Sequence, residues 1–206
     1  MNPILLLTFS GADQPGLTAG ITAILAQRDV NILDIGQSVI HATLSVGVLV
    51  EVPAREDPSA LGEANGAFAG KHSLRWQLTP VPQESYGSWV VDQGRARYII
   101  TLLARKITAS HLARLTAVIA RHGVNIDGIT RLSGRIPLGR LPEASKACVE
   151  FSVRGPQTDA GAFRRDLLEL TAELEIDLAF QEDSLYRRNR RLVAFDMDST
   201  LIEAEV

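Results

Sequence analysis

The sequence predicts an α+β chain made of two copies of one βαββαβ unit. Three observations predict it: a repeat spaced by 94 residues, apolar runs of strand length that alternate with helical patterns, and a polar stretch bearing proline and glycine between the copies. The repeat is direct. Ala19, Thr22, Ala23, Ala26, Val30, Asn31, Ile32 and Ile35 recur as Ala113, Thr116, Ala117, Ala120, Val124, Asn125, Ile126 and Ile129. Ile21 and Leu115, Ile24 and Val118, and Leu25 and Ile119 are similar pairs, so small and aliphatic positions fall at helical spacing in both copies.

Each element can be justified in turn. Residues 4–9 and 98–103 are strongly apolar strands, each followed by polar residues and then the repeated helix. Val30-Asn31-Ile32 with Ile35, and Val124-Asn125-Ile126 with Ile129, carry the β-branched alternation of second strands. Third strands fall at 45–52 and 146–153. Second helices fall at 58–69 and 158–174, the latter with Phe163, Leu167, Leu170 and Leu174 along one side. Fourth strands close the units near 74–78 and 176–180. This order predicts two mainly antiparallel four-stranded sheets, each with both helices on one face, a ferredoxin-like arrangement. The domains are residues 1–80 and 97–183. Residues 81–96, with Pro82, Gly87 and Gly94, and residues 184–190 read as linkers, and 191–206 opens a further segment. Pro137, Gly139 and Pro142 mark a loop within the second copy.

Composition narrows the function. A formal charge of −3 and a pI near 5.8 supply no field to gather nucleic acid or anionic lipid, so small soluble ligands are favoured. The single cysteine, Cys148, sits in an apolar alternating run and is expected to be a buried structural thiol. No intramolecular disulfide can form, and residence in the cytoplasm is expected. The apolar start, residues 1–9, has no basic flank and is interrupted by Ser10-Gly11-Ala12-Asp13 far short of a membrane span.

Between the first strand and first helix lies Asp13-Gln14-Pro15-Gly16-Leu17. Asp13 can cap exposed N–H groups, Pro15 presets φ in the first turn, and Gly16 removes the side chain that would block approach. The helix N-terminus can then hold an amino acid's carboxylate, while Asn31 offers an amide. Taken alone, such a turn is more often just a helix start. The loop and the Val-Asn-Ile strand start resemble the ACT domain family, whose members bind amino acids at domain interfaces and regulate metabolic enzymes. The resemblance covers most of residues 1–183. It implies that Asp13, Gly16, Leu17 and Asn31 line an effector site shared with a neighbouring ACT unit, and that the chain forms a homodimer. The second copy keeps Asn125 but has Lys106-Ile107-Thr108-Ala109-Ser110 at the loop, without the Pro-Gly pair, so a purely structural role fits it as well as binding.

At the C-terminal end an apolar run, Arg191-Leu192-Val193-Ala194-Phe195, leads into Asp196-Met197-Asp198-Ser199-Thr200. Residues two apart in an extended chain face the same way, so the two carboxylates can converge on one atom. This segment, with Leu201-Ile202, resembles the first motif of haloacid dehalogenase-like phosphatases, specifically the phosphoserine phosphatases. The resemblance implies that Asp196 attacks phosphorus, that Asp198 handles the proton of the leaving serine oxygen, that both serve Mg²⁺, and that Glu205 meets the substrate ammonium. The later motifs of that family find no place before Val206, so residues 191–206 read as the truncated first strand and loop of an α/β domain. The expected function is the regulatory region of a phosphoserine phosphatase, catalytically incomplete, with L-serine as effector. The alternative is a stand-alone tandem ACT regulator acting through a protein partner.

Other features are bland. His111 and His122, eleven residues apart on one helix, lie roughly 16 Å from each other and cannot share an ion. Arg187, Arg188, Arg190 and Arg191 form a basic patch without interleaved aromatics, which reads as a solvated linker helix.

Overall fold

The computed structural model describes residues 2–135, 146–155, 160–184 and Arg187. The first unit runs β1 (Ile4–Ala12), α1 (Leu17–Gln27), β2 (Asn31–Ile40), β3 (Thr43–Glu51), α2 (Pro58–Lys71) and β4 (Arg75–Val81). A further helix, α3 (Gln83–Gln93), follows within the stretch read from sequence as a linker. The second unit runs β5 (Arg97–Ala104), α4 (Ala109–Arg121), β6 (Asn125–Arg131), β7 (Ala147–Arg154), α5 (Ala160–Leu174) and β8 (Asp177–Glu182). The sheets have the orders β2-β3-β1-β4 and β6-β7-β5-β8, antiparallel throughout. Both are the predicted α+β units with two helices each.

Period-2 patterning builds each core. Leu5, Leu7 and Phe9 on β1 and Val46, Val48 and Val50 on β3 are buried in one cluster with Leu17, Ile21 and Leu25 of α1 and Leu61 and Ala69 of α2. The second core joins Ile100 and Leu102, Val149 to Val153 on alternate positions, Leu115 and Ile119 of α4, and Phe163, Leu167 and Leu170 of α5. Fully burying one such aliphatic or aromatic side chain contributes roughly 1.5–3 kcal/mol. Cys148 falls on the opposite face of β7 and is half-buried rather than buried, because the alternation that sinks Ala147 and Val149 turns it outward.

The helices α1 and α2 approach closely. A side chain at Gly20 would overlap the Phe68 ring, so glycine is what lets the two helices meet there. On the second strand the apolar positions Ile32 and Ile35 are three apart, an odd step for a strand. The structure resolves it with a β-bulge: the register passes from Ile32 opposite Val50 to Asp34 opposite Leu49, leaving Leu33 as the extra residue. β6 bulges at the matching place, between Ile126 and Gly128. The spacing of 94 between Asn31 and Asn125 becomes 103 between their partners Glu51 and Arg154, so the second unit carries nine more residues between its middle strands.

Candidate functional site

The loop after β1 turns at Asp13, whose backbone N–H donates to the Ala42 carbonyl at 2.9 Å and ties the loop to the β2–β3 turn. Gly16 then takes φ 92 and acts as the N-cap of α1. The structure differs here from the sequence expectation: no side chain caps this helix, Asp13 included, and no acidic residue stands in its first turn. The first intrahelical bond runs from Gly20 N–H to the Gly16 carbonyl, so the N–H groups of Leu17, Thr18 and Ala19 face outward without a helical partner. A side chain placed at Gly16 would meet nothing within 4 Å, which describes an open approach to those donors.

The corresponding end of α4 is closed. Thr108 Oγ1 accepts from His111 N–H at 3.3 Å, and His111 Nδ1 accepts from Thr108 N–H at 3.4 Å, a reciprocal capping box. The two helix starts of the repeat thus present different chemistry: an uncapped end in the first unit, and in the second an end whose Thr108 and His111 N–H groups are capped.

Asn31 does not lie beside this loop within its own unit. The register sets it opposite Glu51, which in turn is level with Ile4, whereas the loop leaves the other end of β1 beyond Ala12. Eight strand residues at about 3.3 Å each put the two some 26 Å apart. Asn31 Nδ2 instead donates to Glu51 Oε2 at 3.3 Å. The amide that does reach the loop is Gln37 on β2, whose Oε1 accepts from Thr18 Oγ1 at 2.5 Å and leaves its NH₂ group at the mouth of α1. Sequence reasoning missed Gln37, and only the bulged register of β2 could have revealed it.

In the second unit the polar groups pair with one another. Arg154, 9% exposed, meets Asp127 at 2.6 Å. His122 and Arg121 both reach Asp166 at 2.7 Å and join the end of α4 to α5. The hydrogen bond from His122, joined by the Arg121 guanidinium, holds the Asp166 carboxyl below its ordinary range against an opposing effect of desolvation. Arg187, expected in a solvated patch, is ion-paired with Glu150 and Asp183. Asp196, Asp198 and Glu205, and with them the residues that would hold Mg²⁺, lie outside the described residues, as do residues 136–145 with the expected Pro-Gly loop. Among the described residues no helix is long and apolar enough to cross a membrane.

A helix-backed antiparallel sheet whose β1–α1 loop opens onto free backbone donors defines the class, and the ACT domain family matches residues 3–74 and again residues 96–181. The chain belongs to that family, with two ACT domains in tandem. Its relatives include the phosphoserine phosphatase of Streptomyces coelicolor, 35% identical over 99% of this chain and 46% of its own length. Phosphoserine phosphatase SerB2 of Mycobacterium tuberculosis is 32% identical over 98% of this chain and 46% of its length. The chain therefore spans about half the length of the curated relatives it matches. Among solved structures, an unknown protein from Galdieria sulphuraria shares the fold with a TM-score of 0.72 at 15% identity, over 89% of this chain and 100% of that one.

Proposed function

We propose that this chain is the amino-acid-sensing, regulatory region of a cytoplasmic phosphoserine phosphatase, and that L-serine is its effector. The observation that carries the reading is the uncapped start of α1, set against the capped start of α4. An α-amino acid has the chemistry to use it. Its carboxylate meets the free N–H groups of Leu17 and Thr18 at the positive end of the helix, and Asp13 takes its ammonium. Gln37 offers a further amide donor.

Asn31 enters this site from a second ACT unit. β2 is an edge strand with exposed Ile35 and Ile40, so two units of different chains can join β2 to β2. Antiparallel joining about a two-fold axis sets the Asn31 end of one strand beside the loop of the other, which makes the site a shared one and the protein a homodimer.

The parent reaction is hydrolysis of O-phospho-L-serine to L-serine and phosphate, with Asp196 as nucleophile, Asp198 as acid and base, and Glu205 on the substrate ammonium. Mg²⁺ held by Asp196 and Asp198 would supply charge neutralisation at the phosphate. Phosphoryl transfer depends on many groups clamped in position, so two aspartates and a glutamate without the later motifs accomplish little. Residues 1–206 alone are expected to release no phosphate from phosphoserine with Mg²⁺; turnover matching a complete phosphatase would overturn that.

Titration calorimetry tests the sensor. Saturable heat is expected with L-serine, weakened about tenfold in Asn31→Ala, and a flat titration with serine, glycine and other amino acids would remove the reading. A second reading, a stand-alone tandem ACT regulator working through a protein partner, is favoured by one observation: the Galdieria chain is matched over its whole length by this two-unit fold. The coding sequence beyond Val206 separates the two, since a continuing phosphatase domain supports the first and a stop codon the second.

A further inference from the structure

The face of the first sheet turned away from α1 and α2 is partly covered by α3, and the cover is loose: no residue of α3 is fully buried. Beneath it lies a cleft of about 260 Å³. Its floor is Leu6, Leu49 and Val81 from three adjacent strands, and its walls are Tyr86 and Trp89 of α3, whose rings stand 5.8 Å apart and tilted by 32°. Asp34 and Ser85 complete the lining.

The bulge in β2 is what brings that carboxylate here. Were Leu33 paired in an unbroken register, Asp34 would stand opposite Val48 and point into the core; with Leu33 bulged out, Asp34 stands opposite Leu49 on the open face. Asp34 Oδ1 accepts from the N–H of Ile35 at 2.9 Å, and among the described residues no lysine or arginine pairs with the carboxylate. The cleft therefore combines an aliphatic floor, two aromatic rings and one negative charge that has no protein cation.

We propose that this cleft binds a small organic cation, a primary ammonium on a short aliphatic stem. Aromatic faces and a carboxylate both attract positive charge, and the floor of leucine and valine accepts methylene groups. Size selects within that class. At roughly 30 Å³ per water the cleft displaces about nine waters, enough for a stem of a few carbons and too little for a nucleotide or a peptide. An anionic ligand is excluded by Asp34. The second unit carries no equivalent, because Gly128 occupies the position of Asp34 after its bulge.

Titrating the full chain with n-butylammonium chloride, followed by amide and indole NMR at constant ionic strength, tests this. Saturable shifts are expected at the Trp89 indole N–H and the Asp34 and Tyr86 amides, with neutral n-butanol binding at least tenfold more weakly. Asp34→Asn is expected to weaken butylammonium at least tenfold, and Trp89→Leu, which keeps an apolar cover, about fivefold. Both positions lie outside the core, so an unchanged spectrum for the remaining sheet amides verifies the fold. The proposal is overturned if butylammonium gives no saturable shift at these groups, if butanol binds equally well, or if Asp34→Asn leaves the affinity unchanged.

Discussion

At Gly16 the backbone takes φ 92, a conformation open to glycine at no steric cost, and the helix that follows keeps its first donors free. At Thr108 a hydroxyl fills the same role that water or a ligand must fill at Gly16. Mutation should therefore separate the two ends. Thr108→Ala is expected to destabilise the second unit by about 1 kcal/mol, read from urea unfolding followed by that unit's amide signals. Asp13→Ala removes no cap and is expected to change stability by less than about 0.5 kcal/mol while weakening serine binding severalfold in calorimetry. A large loss of stability in Asp13→Ala would mean that the carboxylate serves the fold and not a ligand.

At the level of elements, the helices are held by contacts of two kinds. α1 and α2 meet through Gly20 and Phe68, and Gly20→Ala is expected to cost about 1–3 kcal/mol through overpacking. Combining it with Phe68→Leu should return part of that loss, giving a coupling measurable in a double-mutant cycle. α4 and α5 are joined by His122 and Arg121 on Asp166. Because the folded state lowers the Asp166 carboxyl, its stabilising contribution is present above the ordinary carboxylate range and disappears as pH falls through the lowered value. Unfolding curves of wild type and Asp166→Asn should differ at pH 7 and converge in strong acid; a constant gap would remove the clamp.

These elements also show what could be read in the chain itself. Apolar runs and the helical repeat revealed both sheets because burial on one face forces period 2 and period 3.6 patterns on residues such as Leu5, Leu7 and Phe9, or Leu17, Ile21 and Leu25. The loop glycine was legible from its type alone. Gln37 and the separation of Asn31 from the loop were not, since a register shifted by a single bulge is invisible to composition. The helix α3 was hidden by Pro82, Gly87 and Gly94, of which the first and last flank the helix and only Gly87 falls inside it, so two of the three turn residues mark its ends.

For the whole molecule, the two domains share a fold and differ in what they offer a ligand. One helix start is open and one is sealed, so calorimetry with serine should return one equivalent per chain, whatever the oligomer. Two equivalents would show that the capping box at Thr108 and His111 yields to the ligand. Sealing the open end should abolish binding without unfolding the chain, and a serine in place of Gly16 is a poor way to do it because of the positive φ. Grafting Asp-Gln-Pro-Gly onto the second loop is the cleaner converse.

The extra residues Leu33 and Asp127 interrupt β2 and β6 at equivalent positions, while the hairpin that follows differs in length by nine residues. The kink thus recurs at the same point of both units, and the length of the hairpin is what differs between them. Residues can therefore be added at the hairpin without disturbing the bulged register beside it, so an insertion between Ile40 and Thr43 is expected to leave the first sheet intact.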